Sequence, residues 1–121
     1  MRRSVMIEIQ GIPPSLNQFA GRKNDRAYQA AKRDWTDRVL WTIKVKRLAP
    51  PEPFEHAHVY IVYYFPNRNR HDADNYSGKL FLDGLTRGGI IKDDDMKHIT
   101  TTISGDYDKE HPRTLIMVYE E

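Results

Sequence analysis

Between Ala27 and Arg47 the chain contains neither glycine nor proline, and within that stretch Ala31, Trp35, Val39 and Ile43 recur at every fourth position. With 3.6 residues per turn, positions four apart stack on one face, so the spacing predicts a long amphipathic helix with Lys32, Arg33 and Arg38 on other faces. Such a helix has to bury its tryptophan-bearing stripe, and the rest of the chain must supply an apolar surface about 30 Å long to receive it.

Alternating segments offer that surface. Ser4 to Gln10 puts Val5, Ile7 and Ile9 on one side at period two and ends at the turn-forming Gly11-Ile12-Pro13-Pro14, which reads as a strand. After the break at Pro50, Pro51 and Pro53, His58 to Phe65 is dense in β-branched and aromatic residues and is the strongest strand. Two further strands are expected near Lys97 to Ile103 and Thr114 to Tyr119, flanking a polar turn with Gly105 and Asp106. A second helix is expected over Asn75 to Arg87, capped by Asp74 or Asn75 and stopped by Gly88-Gly89. Strand, helix, strand, helix, strand, strand predicts an α+β (mixed α/β) fold in which a mixed sheet packs against two helices. At roughly 100–200 residues per domain, residues 1–121 make one domain.

Composition excludes several classes of function. The absence of cysteine removes disulfide scaffolds, thiolate zinc sites and cysteine nucleophiles. The longest apolar run, residues 60–65, falls far short of the ~20 residues a membrane span needs, so a cytoplasmic protein with no membrane partner is expected. A net charge of +2 hides an asymmetry: residues 1–70 hold 13 Lys and Arg against 6 Asp and Glu, and residues 71–121 hold 6 against 11. A basic half beside an acidic patch suits a chain that holds a polyanion and places a divalent cation on it, and a solvated surface with clustered charges has the same composition.

The acidic patch is concentrated in Asp72-Ala73-Asp74-Asn75, Lys79, Asp83 and Asp93-Asp94-Asp95. In an extended segment Asp72 and Asp74 share a side with Cα atoms about 7 Å apart. Carboxylates that close repel unless a cation lies between them. A strand-helix-return path is expected to bring Asp94 back to the same pocket. Oxygen donors without cysteine favour Mg²⁺ or Mn²⁺ over zinc, and such ions serve phosphoryl chemistry. Lys79, in the second turn of the expected helix, reaches a phosphate or instead pairs with Asp83 four residues on. Asp72, Asp74 and Asp83 also match positions 1, 3 and 12 of a calcium-binding helix-loop-helix, but Tyr76 and Ser77 break that pattern where a ligand and a glycine belong. His71 neighbours the acids, whereas His56, His58, His98 and His111 lack paired metal-site spacing. Trp35, Trp41 and the tyrosines of 60–64 could stack on bases, but their spacing favours core or interface.

The whole pattern from Asp72 to Asp94, D-A-D-N-x₃-K-x₃-D-G-L-x₂-G-G-I-I-x-D-D, resembles the RusA-like family of Holliday junction resolvases, often carried by prophages. Pro13-Pro14-Ser15-Leu16-Asn17 is similar to the family's amino-terminal motif, so the likeness covers most of the chain. The resemblance implies a homodimer of mixed α/β subunits that binds branched DNA at a four-way junction and nicks opposing strands with Mg²⁺ or Mn²⁺, with no small-molecule cofactor. It implies Asp72, Asp74 and Asp94 as metal ligands and Lys79 as the residue stabilising developing negative charge. Three residues separate Asn75 from Lys79 where the family pattern has two, a difference that turns a helical side chain by about 100°. Arg22, Lys23, Arg26, Lys32, Arg33, Arg68 and Arg70 are the expected phosphate contacts, being the basic surface adjacent in sequence to both sides of the acids. Two alternatives share these residues: a related nuclease for flapped or branched phage DNA, and a catalytically silent junction-binding dimer.

Overall fold

The computed structural model of the chain describes residues 2–20 and 25–121. Its elements are β1 (Ser4–Gln10), α1 (Asp25–Lys46), β2 (Ala57–Phe65), α2 (Leu82–Arg87), β3 (Ile99–Tyr107) and β4 (Arg113–Glu120), with short 3-10 turns at Leu16–Phe19 and Ala73–Tyr76. The expected α+β architecture is present as one four-stranded mixed sheet and two helices. No described helix is long and apolar enough to cross a membrane.

Sheet order is β1-β4-β2-β3. β4 runs antiparallel to both β1 and β2, so it separates two strands that point the same way, and β3 runs parallel to β2 at the edge. Alternation then sorts the residues. Ile7 and Ile9 of β1, Val59, Ile61 and Tyr63 of β2, and Ile116 and Val118 of β4 are buried on one face, where Trp35, Val39 and Ile43 of α1 pack as the four-residue repeat requires. Among the described residues no helix covers the opposite face. It presents Met6, Tyr60, Val62, Leu115, Met117 and Tyr119, with Met6 59% and Tyr119 45% exposed.

α1 ends in a turn closed by Leu48 N–H to the Ile43 carbonyl (3.0 Å) and Arg47 N–H to the Lys44 carbonyl (3.3 Å), with Arg47 at φ 53° in the position glycine normally takes. α2 lies close on α1 because Gly84 has no side chain: a Cβ there would stand 2.9 Å from Val39 Cβ.

Two expected boundaries are corrected. The second helix does not run from Asn75 to Arg87; it begins at Leu82. Gly78 takes φ +90°, a conformation no right-handed helix passes through, and a Cβ there would fall 2.7 Å from Ile61 Cδ1. Gly105 and Asp106 do not form a turn. They are strand residues opposite Tyr63 and Tyr64, and the connection to β4 lies beyond Tyr107. Gly105 fits there because Phe65 presses close, Cε2 lying 3.3 Å from where a Cβ would be.

Candidate active site

β1, β2 and β3 are mutually parallel, so their carboxyl ends share one edge of the sheet, where loops gather in open α/β sheets. The chain leaving β2 turns there through Asn67 to Asp72 and closes a 3-10 turn with Asn75 N–H on the Asp72 carbonyl (3.0 Å). Asp72 is still extended (φ −89°, ψ 135°), and Asp74 lies in the turn's first residues, so the acids are neighbours across a bend and not along a strand. Both carboxylates are exposed. Asp72 Oδ1 accepts a hydrogen bond from Arg70 Nε at 3.0 Å.

Lys79 follows Gly78 and precedes α2, so its direction is set by a glycine turn and not by a helix. Its Nζ lies 5.4 Å from the centre of the Tyr28 ring, and Asp83, the pairing alternative, faces Arg87 at 3.8 Å. The Tyr28 contact also shows that the start of α1 lies beside this segment, with Arg26 and Arg33 exposed and Lys32 half-buried. Arg68 and Arg70 are exposed in the loop after β2. Arg22 and Lys23 lie outside the described residues. Beneath the segment Tyr63 is buried, and that burial pushes the pKa of its hydroxyl up, against a smaller lowering by the Gly78 backbone.

Asp93, Asp94 and Asp95 lie elsewhere. A connection between adjacent parallel strands must travel from the carboxyl end of one to the amino end of the next. The return path after α2 therefore ends beside the start of β2, where Phe54 N–H meets the Ile90 carbonyl (2.9 Å), Lys92 N–H meets the Phe54 carbonyl (3.0 Å) and Lys92 Nζ pairs with Glu55 (3.2 Å). A nine-residue strand such as β2 spans about 26 Å. Asp72 and Asp74 thus sit at one end of the sheet and Asp94 at the other, and the expected return to a single pocket does not occur within one chain.

At that second end, Asp93, Asp95 and His98 bring one ligand atom each within 4.8 Å of one another, the one such group among the described residues. Asp95 Oδ1 accepts from the Lys97 and His98 backbone N–H groups (3.0 and 3.1 Å) and pairs with His98 Nδ1 at 2.5 Å. The His98 hydrogen bond, with help from these backbone donors, holds the Asp95 carboxyl below its ordinary range. His98 joins the group because it ends the three-residue turn that starts β3; its sequence spacing from Asp95 was the available signal.

A family model described as Endodeoxyribonuclease RusA matches residues 11–119. No curated protein matches the chain.

Proposed function

The chain belongs to the RusA endodeoxyribonuclease family, and on that premise we propose that it is a homodimeric, divalent-metal-dependent nuclease that resolves four-way DNA junctions by nicking opposing strands. What supports this reading is the family match together with Asp72 and Asp74 two residues apart and exposed in the bend after β2, with Arg68 and Arg70 exposed in the same loop. Such a substrate puts the protein with chromosomal or phage DNA in a bacterial cytoplasm.

The donor set suits the ion. Asp72, Asp74 and Asp94 offer only hard oxygens, which favours Mg²⁺ with Mn²⁺ as substitute. When bound, the ion supplies Lewis acidity to the attacking water and to the leaving oxygen. Arg70, now on Asp72, is free to exchange that carboxylate for a DNA phosphate. Lys79 stabilises the charge that develops on the phosphoryl oxygens, and Arg22, Lys23, Arg26, Lys32, Arg33 and Arg68 hold the flanking backbone without reading sequence.

The distance to Asp94 argues for the dimer. A two-fold axis perpendicular to the strands reverses their direction between subunits, so it lays the carboxyl end of one sheet over the amino end of the other. Asp94 of the partner subunit then completes the Asp72–Asp74 site, twice per dimer, as a junction with two scissile strands requires. The uncovered face bearing Met6, Tyr60, Leu115, Met117 and Tyr119 is the surface such a packing would bury.

Mixing two inactive variants tests the reading. Asp74→Asn and Asp94→Asn homodimers should bind junctions, neither cut them nor hold Mn²⁺ tightly, and remain folded. Co-expressed, they place both substitutions in one site and leave the other intact, so one nick and one tightly held Mn²⁺ per dimer should return. A heterodimer as inactive as its parents would refute the shared site. Metal-independent binding by wild type without cutting would make the protein a junction binder.

A further inference from the structure

The carboxyl end of α1 carries a surface that neither the acids nor the sheet uses. A groove of about 500 Å³ runs between the last two turns of α1 and the end of α2, with Leu40, Ile43, Ala49 and Gly88 along it and Lys44 and Arg47 on its rim. That volume lies within the ~300–1,000 Å³ typical of clefts that take a bound group. Gly88 lets the two helix ends approach, its absent Cβ falling 2.5 Å from Ile43 Cδ1. α1 also has a second apolar stripe. Trp35, Val39 and Ile43 are spent in the core, whereas Trp41 and Val45, one turn apart, are 68% and 56% exposed, and Trp41 neighbours Lys44 three residues on.

The charge here is of one sign. Lys44, Lys46 and Arg47 are exposed, and among the described residues none of their side chains is in an ion pair. Asp37, one turn before Trp41, marks where this basic surface stops. The helix dipole accounts for cations at this end but not for a tryptophan and a valine standing in water among them. Arg47 adds a second indication: it is the one non-glycine residue with positive φ among the described residues, a conformation glycine would adopt more cheaply, and strain of this kind gathers where a side chain clamps a ligand. A DNA backbone would meet the cations and gain nothing from Trp41, Val45 or the apolar groove. Sixteen residues of helix, about 24 Å, also separate Lys44 from Tyr28, the residue of α1 that touches Lys79. α1 covers the face of the sheet opposite the open one, so the packing proposed for the dimer leaves this surface in solvent.

We infer that the carboxyl end of α1 is a docking site for an acidic peptide segment of another protein, whose bulky apolar side chains fill the groove and cover Trp41 while its carboxylates meet Lys44, Lys46 and Arg47. Neither metal nor DNA enters this contact, so a partner can be held there while the nuclease site is occupied.

The test uses full-length protein and a synthetic peptide of four aspartates followed by leucine and phenylalanine, labelled with fluorescein for anisotropy. Binding should saturate in the tens of micromolar (roughly −6 to −7 kcal/mol of affinity) and weaken as salt rises. Peptides with serine in place of the apolar pair, or lysine in place of the aspartates, should bind about tenfold more weakly or worse. Trp41→Ser and Lys44→Glu should each cost about tenfold, as loss of an aromatic anchor or reversal of a facing charge does. Arg47→Gly should weaken binding about threefold in a protein no less stable than wild type, so that loss is not one of folding. Unlabelled peptide should shift Trp41 emission to the blue, Trp35 being buried throughout. No saturable binding by about 1 mM, equal binding of the serine peptide, or unchanged affinity in both Trp41→Ser and Arg47→Gly would overturn the site. Lys44→Glu weakening junction binding as much as peptide binding would assign the surface to DNA, and dissociation of a Trp41→Ser dimer in sedimentation would assign it to a second copy; either refutes the proposal.

Discussion

Replacing Gly78 with alanine should cost the protein about 2–5 kcal/mol, in two separable parts. The first is conformational: at φ +90° an L-residue pays about 1–2 kcal/mol. The second is steric, because the new methyl would stand 2.7 Å from Ile61 Cδ1, and Ile61 is fully buried with little room to swing away; overpacking of this kind costs about 1–3 kcal/mol. Gly11 provides the comparison. It has nearly the same φ, +86°, and nothing within 4 Å of its absent Cβ, so Gly11→Ala should show the conformational part alone. Urea denaturation of both variants, with Ile61→Val and the Gly78→Ala/Ile61→Val double variant, closes a cycle in which trimming Ile61 recovers part of the loss. On a marginal stability of about 5–15 kcal/mol, the Gly78→Ala deficit is easily measured. Equal losses for Gly78→Ala and Gly11→Ala, or a coupling to Ile61 below about 0.5 kcal/mol, would refute the reasoning. Because Gly78 directly precedes Lys79, junction cleavage should fall more than stability requires.

Two further outcomes concern stability. Arg47→Gly should stabilise the protein by about 0.5–1 kcal/mol in the same denaturation assay, since a left-handed C-terminal position costs glycine nothing. The Asp108 carboxyl is held below its ordinary range first by its hydrogen bond from Arg113 and then by the His111 N–H, so the folded state binds its proton more weakly than the unfolded chain does. Its contribution is therefore present above the unfolded value near pH 4 and is lost as pH falls through the depressed folded value; Asp108→Asn should flatten the acid limb of a stability-against-pH curve.

Short-range features were readable and long-range ones were not. Trp35, Val39 and Ile43 announced α1, and Val59 to Phe65 announced β2, because burial of a periodic stripe leaves its period in the sequence. Gly78 sat inside an apparently continuous apolar pattern, and only the closeness of Ile61 reveals why glycine is there. Gly105 and Asp106 carry turn chemistry, yet pairing with β2 overrides it. Asp72 and Asp74 lie together because they are two residues apart. The position of Asp94 depends on β3 being parallel to β2, a matter of strand order that no local pattern records.

The insertion of β4 between β1 and β2 bears on how the chain comes to fold. The strand that lies between β1 and β2 follows both of them in sequence, so an emerging chain holds β1 and β2 with the gap between them unfilled until β4 appears. Their unpaired backbone edges wait for residues some 50 to 115 positions downstream, a loop closure that is slow and leaves strand edges open to wrong partners. Completion of the sheet should therefore trail α1, which can form as soon as its own residues are available.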